Sequence, residues 1–97
     1  MAKKIVIDAG HGGDDPGASG NGIIEKDKTL QISNYMYDKL RDLGFDVAIT
    51  RTTDETINPT ERVERILAPY GNGSDVIVIS NHINAGGGDS HCVTKYV

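Results

Sequence analysis

Three residues of metal-ligand type stand at positions where the chain changes character: His11, Glu25 and His82. His11 lies in Asp8-Ala9-Gly10-His11-Gly12-Gly13, directly after the apolar run Ile5-Val6-Ile7. His82 lies in Ser80-Asn81-His82-Ile83-Asn84-Ala85, directly after Val76-Ile77-Val78-Ile79. Glu25 closes a glycine-rich stretch just before a helical segment. Two His and one Glu form a donor set that holds catalytic zinc and leaves a fourth position to water. Each residue also has a plainer reading. His11 reads as a loop histidine between glycines that permit positive φ. His82 reads as a hydrogen-bonded histidine beyond a buried strand. Glu25 reads as an acid favoured at the positive end of a helix. Only their convergence at one place argues for a metal site.

Other chemistry is weaker. Gly17 to Gly22 has the spacing of a phosphate-binding loop, but Ile23 and Ile24 stand where Lys and Ser or Thr are required. A dinucleotide fingerprint starting at Gly10 would need Gly at position 15, where Asp15 stands. His91 and Cys92 offer a nucleophilic pair only if spatially adjacent. Asp8 reads as a residue that orients a histidine from behind. Asp14 and Asp15 lie in the glycine-rich loop, where no group is expected to be held within hydrogen-bond reach of the site. Arg51 and Arg62 read as ion-pair partners for nearby Asp or Glu.

The elements that must position these residues follow from periodicity. Lys3 to Asp8 and Asp75 to Ser80 are β-branched runs without polar alternation, the pattern of buried parallel strands. Ala9 to Ile24, with six glycines, is expected to be a loop without elements of its own. Asp27 to Leu43 is predicted helical, with Ile32, Met36, Leu40 and Leu43 on one stripe and Gly44 ending it. Phe45 to Thr50 alternates and reads as a strand. Asn58-Pro59-Thr60-Glu61 is a helix start, with Asn58 as N-cap and Pro59 at N1. Val63, Ile66, Leu67 and Tyr70 form its apolar stripe. Cys92 to Val97 is a candidate fourth, less buried strand. The order βαβαβ predicts an α/β fold of three layers around a mostly parallel sheet. Ligands in such sheets gather outside the carboxyl ends of the strands, so His11 and His82 are expected at the same edge.

Composition narrows the partners. A chain of 97 residues forms one domain with one modest core. The net charge of -4 and scattered Lys and Arg argue against nucleic acid. No apolar run approaches the ~18 residues of a membrane span. One cysteine excludes an internal disulfide and a thiolate zinc site. Met1-Ala2-Lys3-Lys4 is not followed by the apolar region of a standard signal peptide.

Together these motifs resemble the zinc-dependent N-acetylmuramoyl-L-alanine amidases of autolysins, spore-lytic enzymes and phage endolysins. The resemblance is carried by Ile7 to Gly13, Asp15-Pro16-Gly17-Ala18, Glu25-Lys26-Asp27, Thr50-Arg51, Asp54, Arg62 and Ser80 to Ala85, spanning about residues 3 to 89. It implies zinc held by His11, Glu25 and His82, with Asp8 and Asn84 supporting the site or touching substrate. It implies hydrolysis of the amide between N-acetylmuramic acid and L-alanine in peptidoglycan, at the bacterial cell wall; with no standard signal peptide seen, the expected release is by lysis, by a phage-type route or by a non-standard route. The family's catalytic glutamate lies in a late strand, and no residue here inherits that role. Cys92 stands where the family tends to have Glu, so Ser90 to Val97 departs from the pattern. The resemblance thus implies the N-terminal portion of an amidase. The alternatives are a fragment that binds zinc or muropeptides without cutting, or a half-domain that self-associates or pairs with a complementing chain.

Overall fold

The computed structural model describes residues 4–84 and 91–95. Strand β1 (Lys4–Ala9) runs between β4 (Asp46–Ile49) and β5 (Val76–Asn84), parallel to both. Strand β6 (His91–Lys95) adds antiparallel to β5, giving the order β4-β1-β5-β6. Helices α1 (Glu25–Asp42) and α2 (Pro59–Leu67) complete the α/β fold. The expected fourth strand is therefore present, as an antiparallel edge.

The two helices lie on opposite faces of the sheet, as the period of two along β1 and β5 shows. Val6, Val76 and Val78 form a buried cluster joined by Ile66 of α2 and by Tyr70. Asp8, two residues beyond Val6, meets Arg62 of α2. The other face carries Asn81, whose side-chain amide donates to Ser33 Oγ of α1 at 3.0 Å. Three layers result, with the sheet in the middle.

Three expectations are corrected. First, residues 19–24 are not bare loop. Ser19–Gly20 (β2) and Ile23–Ile24 (β3) form a two-stranded antiparallel hairpin. Its turn is Asn21-Gly22, with φ of 54° and 80°. Asn-Gly is the favoured pair for a two-residue hairpin turn, so the signal was local and legible. Second, α1 starts at Glu25, and its buried positions are Glu25, Thr29 and Ser33. The apolar stripe packs only in part, and Leu43 is 74% exposed. Small polar residues take the inward face near the site because the loop after β1 crosses there: Thr29 Oγ1 donates to the Gly10 carbonyl at 2.6 Å. Third, α2 turns Arg62 and Ile66 toward the sheet, with Tyr70 joining them from just beyond its end, and leaves Val63 and Leu67 exposed. Asn58 caps α2 as expected, its side chain accepting from Glu61 N–H at 2.7 Å.

Candidate metal centre

Parallel register brings the carboxyl ends of β1 and β5 side by side, with Asp8 opposite Ser80 and Ala9 opposite Asn81. The chain leaving β1 turns through Gly10 and presents His11 with φ of 63°. A left-handed backbone is uncommon for a non-glycine residue and persists where the surroundings over-determine it. The surroundings here are specific. Arg51 is buried, and its guanidinium donates to the carbonyls of Ala9 (3.2 Å), Gly10 (3.0 Å), Lys26 (3.0 Å) and Thr53 (2.9 Å). Arg62 donates to the carbonyls of Ala9 (2.8 Å) and His11 (2.9 Å) and to Asp8 Oδ1 (2.5 Å). Burial, and next the neighbouring Arg62 charge, lower the Arg51 pKa.

The loop is tied on its far side as well. Lys26 Nζ donates to the Gly13 carbonyl and to Asp54 Oδ2, both at 2.9 Å. Gly13 N–H donates to Asp54 Oδ1 at 2.7 Å, and Asp14 N–H to Thr56 Oγ1 at 2.9 Å. Glu25 is placed by the start of α1. Its N–H donates to the Ala18 carbonyl (2.8 Å), and that of Lys26 donates to the Pro16 carbonyl (3.0 Å). These bonds satisfy helix N–H groups that have no partner within the helix.

The three expected residues meet. His11 Nε2 lies 3.0 Å from Glu25 Oε2, His82 Nδ1 lies 3.2 Å from the same oxygen, and the two ring nitrogens are 3.3 Å apart. Tetrahedral zinc bonds of ~2.0–2.2 Å separate ligand atoms by roughly 3.3–3.6 Å, so this triangle is a few tenths of an ångström tighter than a zinc ion would set it. Glu25 is buried, whereas the side chains of His11 and His82 are 25% and 40% exposed. The cluster is thus backed by protein and open to solvent on one side. Glycines permit the approach. A β-carbon on Gly10 would stand 2.6 Å from His82 Cε1.

Such a donor set can hold a zinc ion and leave a fourth position to water. The family model for N-acetylmuramoyl-L-alanine amidase matches residues 5–97. The chain belongs to this family. It is 42% identical over 89 residues to the N-acetylmuramoyl-L-alanine amidase CwlM of Bacillus licheniformis, covering 88% of this chain and 33% of that protein. It is 38% identical over 98 residues to the endolysin of Bacillus phage SPP1, covering 100% of this chain and 35% of the endolysin. Among solved structures, the N-acetylmuramoyl-L-alanine amidase from Clostridium difficile 630 superposes with a TM-score of 0.77 at 30% identity. That match covers 91% of this chain and 47% of that one. The chain spans about a third of the length of the curated relatives it matches.

Within this amidase fold, the remaining sequence expectations divide. Arg62 is the anticipated ion-pair partner, of Asp8, but Arg51 holds backbone carbonyls instead. Asp15 is not loose. Gly12 and Asp15 exchange backbone hydrogen bonds of 2.8 and 2.9 Å, and Asp15 Oδ2 lies 2.8 Å from His11 Nδ1. That hydrogen bond, more than any other effect, holds the Asp15 carboxyl below the usual range. The carboxylate can only accept, so His11 Nδ1 donates to it, and Nε2, which faces Glu25 Oε2 and His82 Nδ1, is the nitrogen available to a metal. Sequence reading missed this role, although a residue four positions on, across a tight glycine turn, was its one signal. The side chains of Asn84, His91 and Cys92 lie outside the described residues.

Proposed function

We propose that this chain is the metal-binding part of a zinc-dependent N-acetylmuramoyl-L-alanine amidase, with His11, Glu25 and His82 as the zinc ligands. The substrate is bacterial peptidoglycan, and the bond hydrolysed joins the lactyl group of N-acetylmuramic acid to L-alanine. The observation that carries this reading is the triangle of 3.0, 3.2 and 3.3 Å between donor atoms on three remote segments. Zinc bound there supplies a water of pKa near 7 and a Lewis acid for the amide carbonyl.

The chain's own residues do the positioning. Asp15 fixes the His11 ring, and the Ala18 N–H holds Glu25 Oε1 at 2.9 Å, leaving Oε2 to the metal. Asp8 supports the site from the α2 side, and the role proposed for Asn84 is to support the site or touch substrate. Hydrolysis also requires a proton for the leaving amine. Among the described residues, Asp8 and Asp15 are already committed to Arg62, Ser80 and His11. Asp14 has no carboxylate contact with the cluster to poise it. Amide cleavage by residues 1–97 alone is therefore expected to be slow, and zinc or muropeptide binding without cutting is the second reading.

Elemental analysis of protein purified without chelator, with release of the L-alanine amino terminus from a muramyl peptide, tests the proposal. Zinc well below one per chain after zinc is supplied would sink it. The exposed Val63 and Leu67 further favour self-association or a complementing chain. A clean monomer in light scattering at millimolar concentration would count against that.

A further inference from the structure

Behind His82 lies a chain of contacts that the metal ligands alone do not require. Ser80 Oγ stands 2.8 Å from Asp8 Oδ2 and 3.1 Å from His82 Nε2. Asp8 is buried, and its other oxygen accepts from Thr50 Oγ1 at 3.0 Å and from Arg62 Nη1. An ionised carboxylate paired with Arg has no proton to give, so the Ser80 hydroxyl must donate to Asp8. A hydroxyl has one proton. Its oxygen is then left to accept from His82 Nε2, an arrangement that leaves His82 Nδ1, 3.2 Å from Glu25 Oε2, free of a proton when a cation sits between those two atoms.

We propose that Ser80 is a positioning residue that relays the charge of the Arg62–Asp8 pair to His82 and fixes its tautomer. The inference rests on the zinc reading above. His82 then binds metal through Nδ1, whereas His11, held by Asp15, binds through Nε2. The two histidines are oriented by different devices: a direct carboxylate for one and a carboxylate acting through a hydroxyl for the other. The sheet makes the relay available. Asp8 and Ser80 are register partners on neighbouring parallel strands, and Ser80 and His82 are two residues apart on one face of β5. Arg62 joins the two halves, because it also donates to the His11 carbonyl. Groups behind metal-bound histidines set ring orientation and ligand basicity, and their loss typically costs 10–100-fold in metal affinity.

The test uses residues 1–97 with histidine labelled with ¹⁵N. Long-range ¹H–¹⁵N spectra of the zinc-loaded wild type should show His82 protonated at Nε2 and His11 at Nδ1, with His82 Nδ1 carrying no proton. In zinc-loaded Ser80→Ala, the Nε2–H signal of His82 should be lost to exchange while the Nδ1–H signal of His11 stays. Zinc affinity, by competition with a chromophoric chelator, should fall about 10–100-fold. Ser80→Thr keeps the hydroxyl in a side chain suited to a strand and should restore both readouts. Zinc affinity in Ser80→Ala equal to wild type, or a wild-type His82 protonated at Nδ1, overturns the relay. The wild-type tautomer decides the matter even where Ser80→Ala does not fold. A wild type that takes up no zinc would sink the metal reading, whereas one that binds zinc with His82 protonated at Nδ1 sinks the relay alone.

Discussion

Gly17 lies directly against Glu25. A β-carbon at position 17 would stand 2.7 Å from Glu25 Oε1 and 2.7 Å from His11 Cδ2, where the backbone has φ of 71°. The glycine therefore lets the loop close over two of the three donor residues while adopting a left-handed conformation. Two independent penalties meet at one residue. One is steric, against the carboxylate and the imidazole, and the other is conformational.

Gly17→Ala should consequently cost about 1–3 kcal/mol of stability from the backbone alone. It should also push His11 and Glu25 apart, so zinc affinity should fall at least about tenfold. Chemical denaturation and chelator competition measure the two effects separately. Unchanged zinc affinity would show that the loop can back away without disturbing the donors.

Zinc should stabilise the fold through its three donors. At a free concentration of 100 times its Kd, a ligand specific for the native state adds about 2.7 kcal/mol. For a domain of this size that raises Tm on the order of 10–20 °C. His11→Ala, Glu25→Gln and His82→Ala should each abolish most of that shift. Thermal unfolding with and without zinc provides the check, and a full zinc-dependent shift in any variant would remove that residue from the ligand set.

Arg51→Ala should unfold the protein more readily than most substitutions at a charged residue. The residue is 2% exposed and its side chain serves four carbonyl groups, of which those of Ala9 and Gly10 are reached by contacts that are themselves buried. Leaving buried acceptors without donors should cost about 3 kcal/mol, on the order of 15 °C in Tm. Arg51→Lys should recover only a fraction, because one ammonium cannot span the fork. A loss below 1 kcal/mol for the alanine variant, read from denaturation curves, would contradict the account.

Acid should loosen the loop that carries His11. Asp54 lies below its ordinary pKa, first because Lys26 donates to it and then because Gly13 N–H does. Glu55 is lowered chiefly by its hydrogen bond from Arg65. A carboxyl lowered in the folded state binds fewer protons than in the unfolded chain. Its stabilisation is present above the unfolded pKa of about 4 and is lost as pH falls below that value. Tm should therefore drop from pH 5 toward pH 2.5, and Asp54→Asn should flatten the acid limb. An Asp54→Asn profile parallel to wild type would assign the acid sensitivity elsewhere.

Turnover by residues 1–97 at saturating zinc should lie at least ~10²-fold below that of a full-length relative, since general acid–base catalysis typically supplies 10²–10⁴-fold. Release of the L-alanine amino terminus from a muramyl peptide is the measurement. A rate equal to the relative's would mean that an acid–base group acts from within this chain.

The strands, the two helices and the three donor residues were legible in the sequence, because each is announced by a local pattern. β-branched runs mark β1 and β5, the Asn58-Pro59 start marks α2, and ligand-type residues follow the carboxyl ends of strands. The β2–β3 hairpin was announced equally locally, by Asn21-Gly22. Tertiary structure alone decided what holds the donors in place. Asp8 and Ser80 are 72 residues apart and meet at 2.8 Å only through the register of β1 on β5, and Arg62 reaches Asp8 and His11 only because α2 packs on that face. It also decided that Arg51 binds carbonyls rather than an acid, and that Thr29 and Ser33 rather than leucines face the sheet. The physical reason is range. Periodicity and turn chemistry act within a few residues, whereas a hydrogen bond tolerates only a few tenths of an ångström. That precision exists only after the sheet has set the distances between segments remote in the chain.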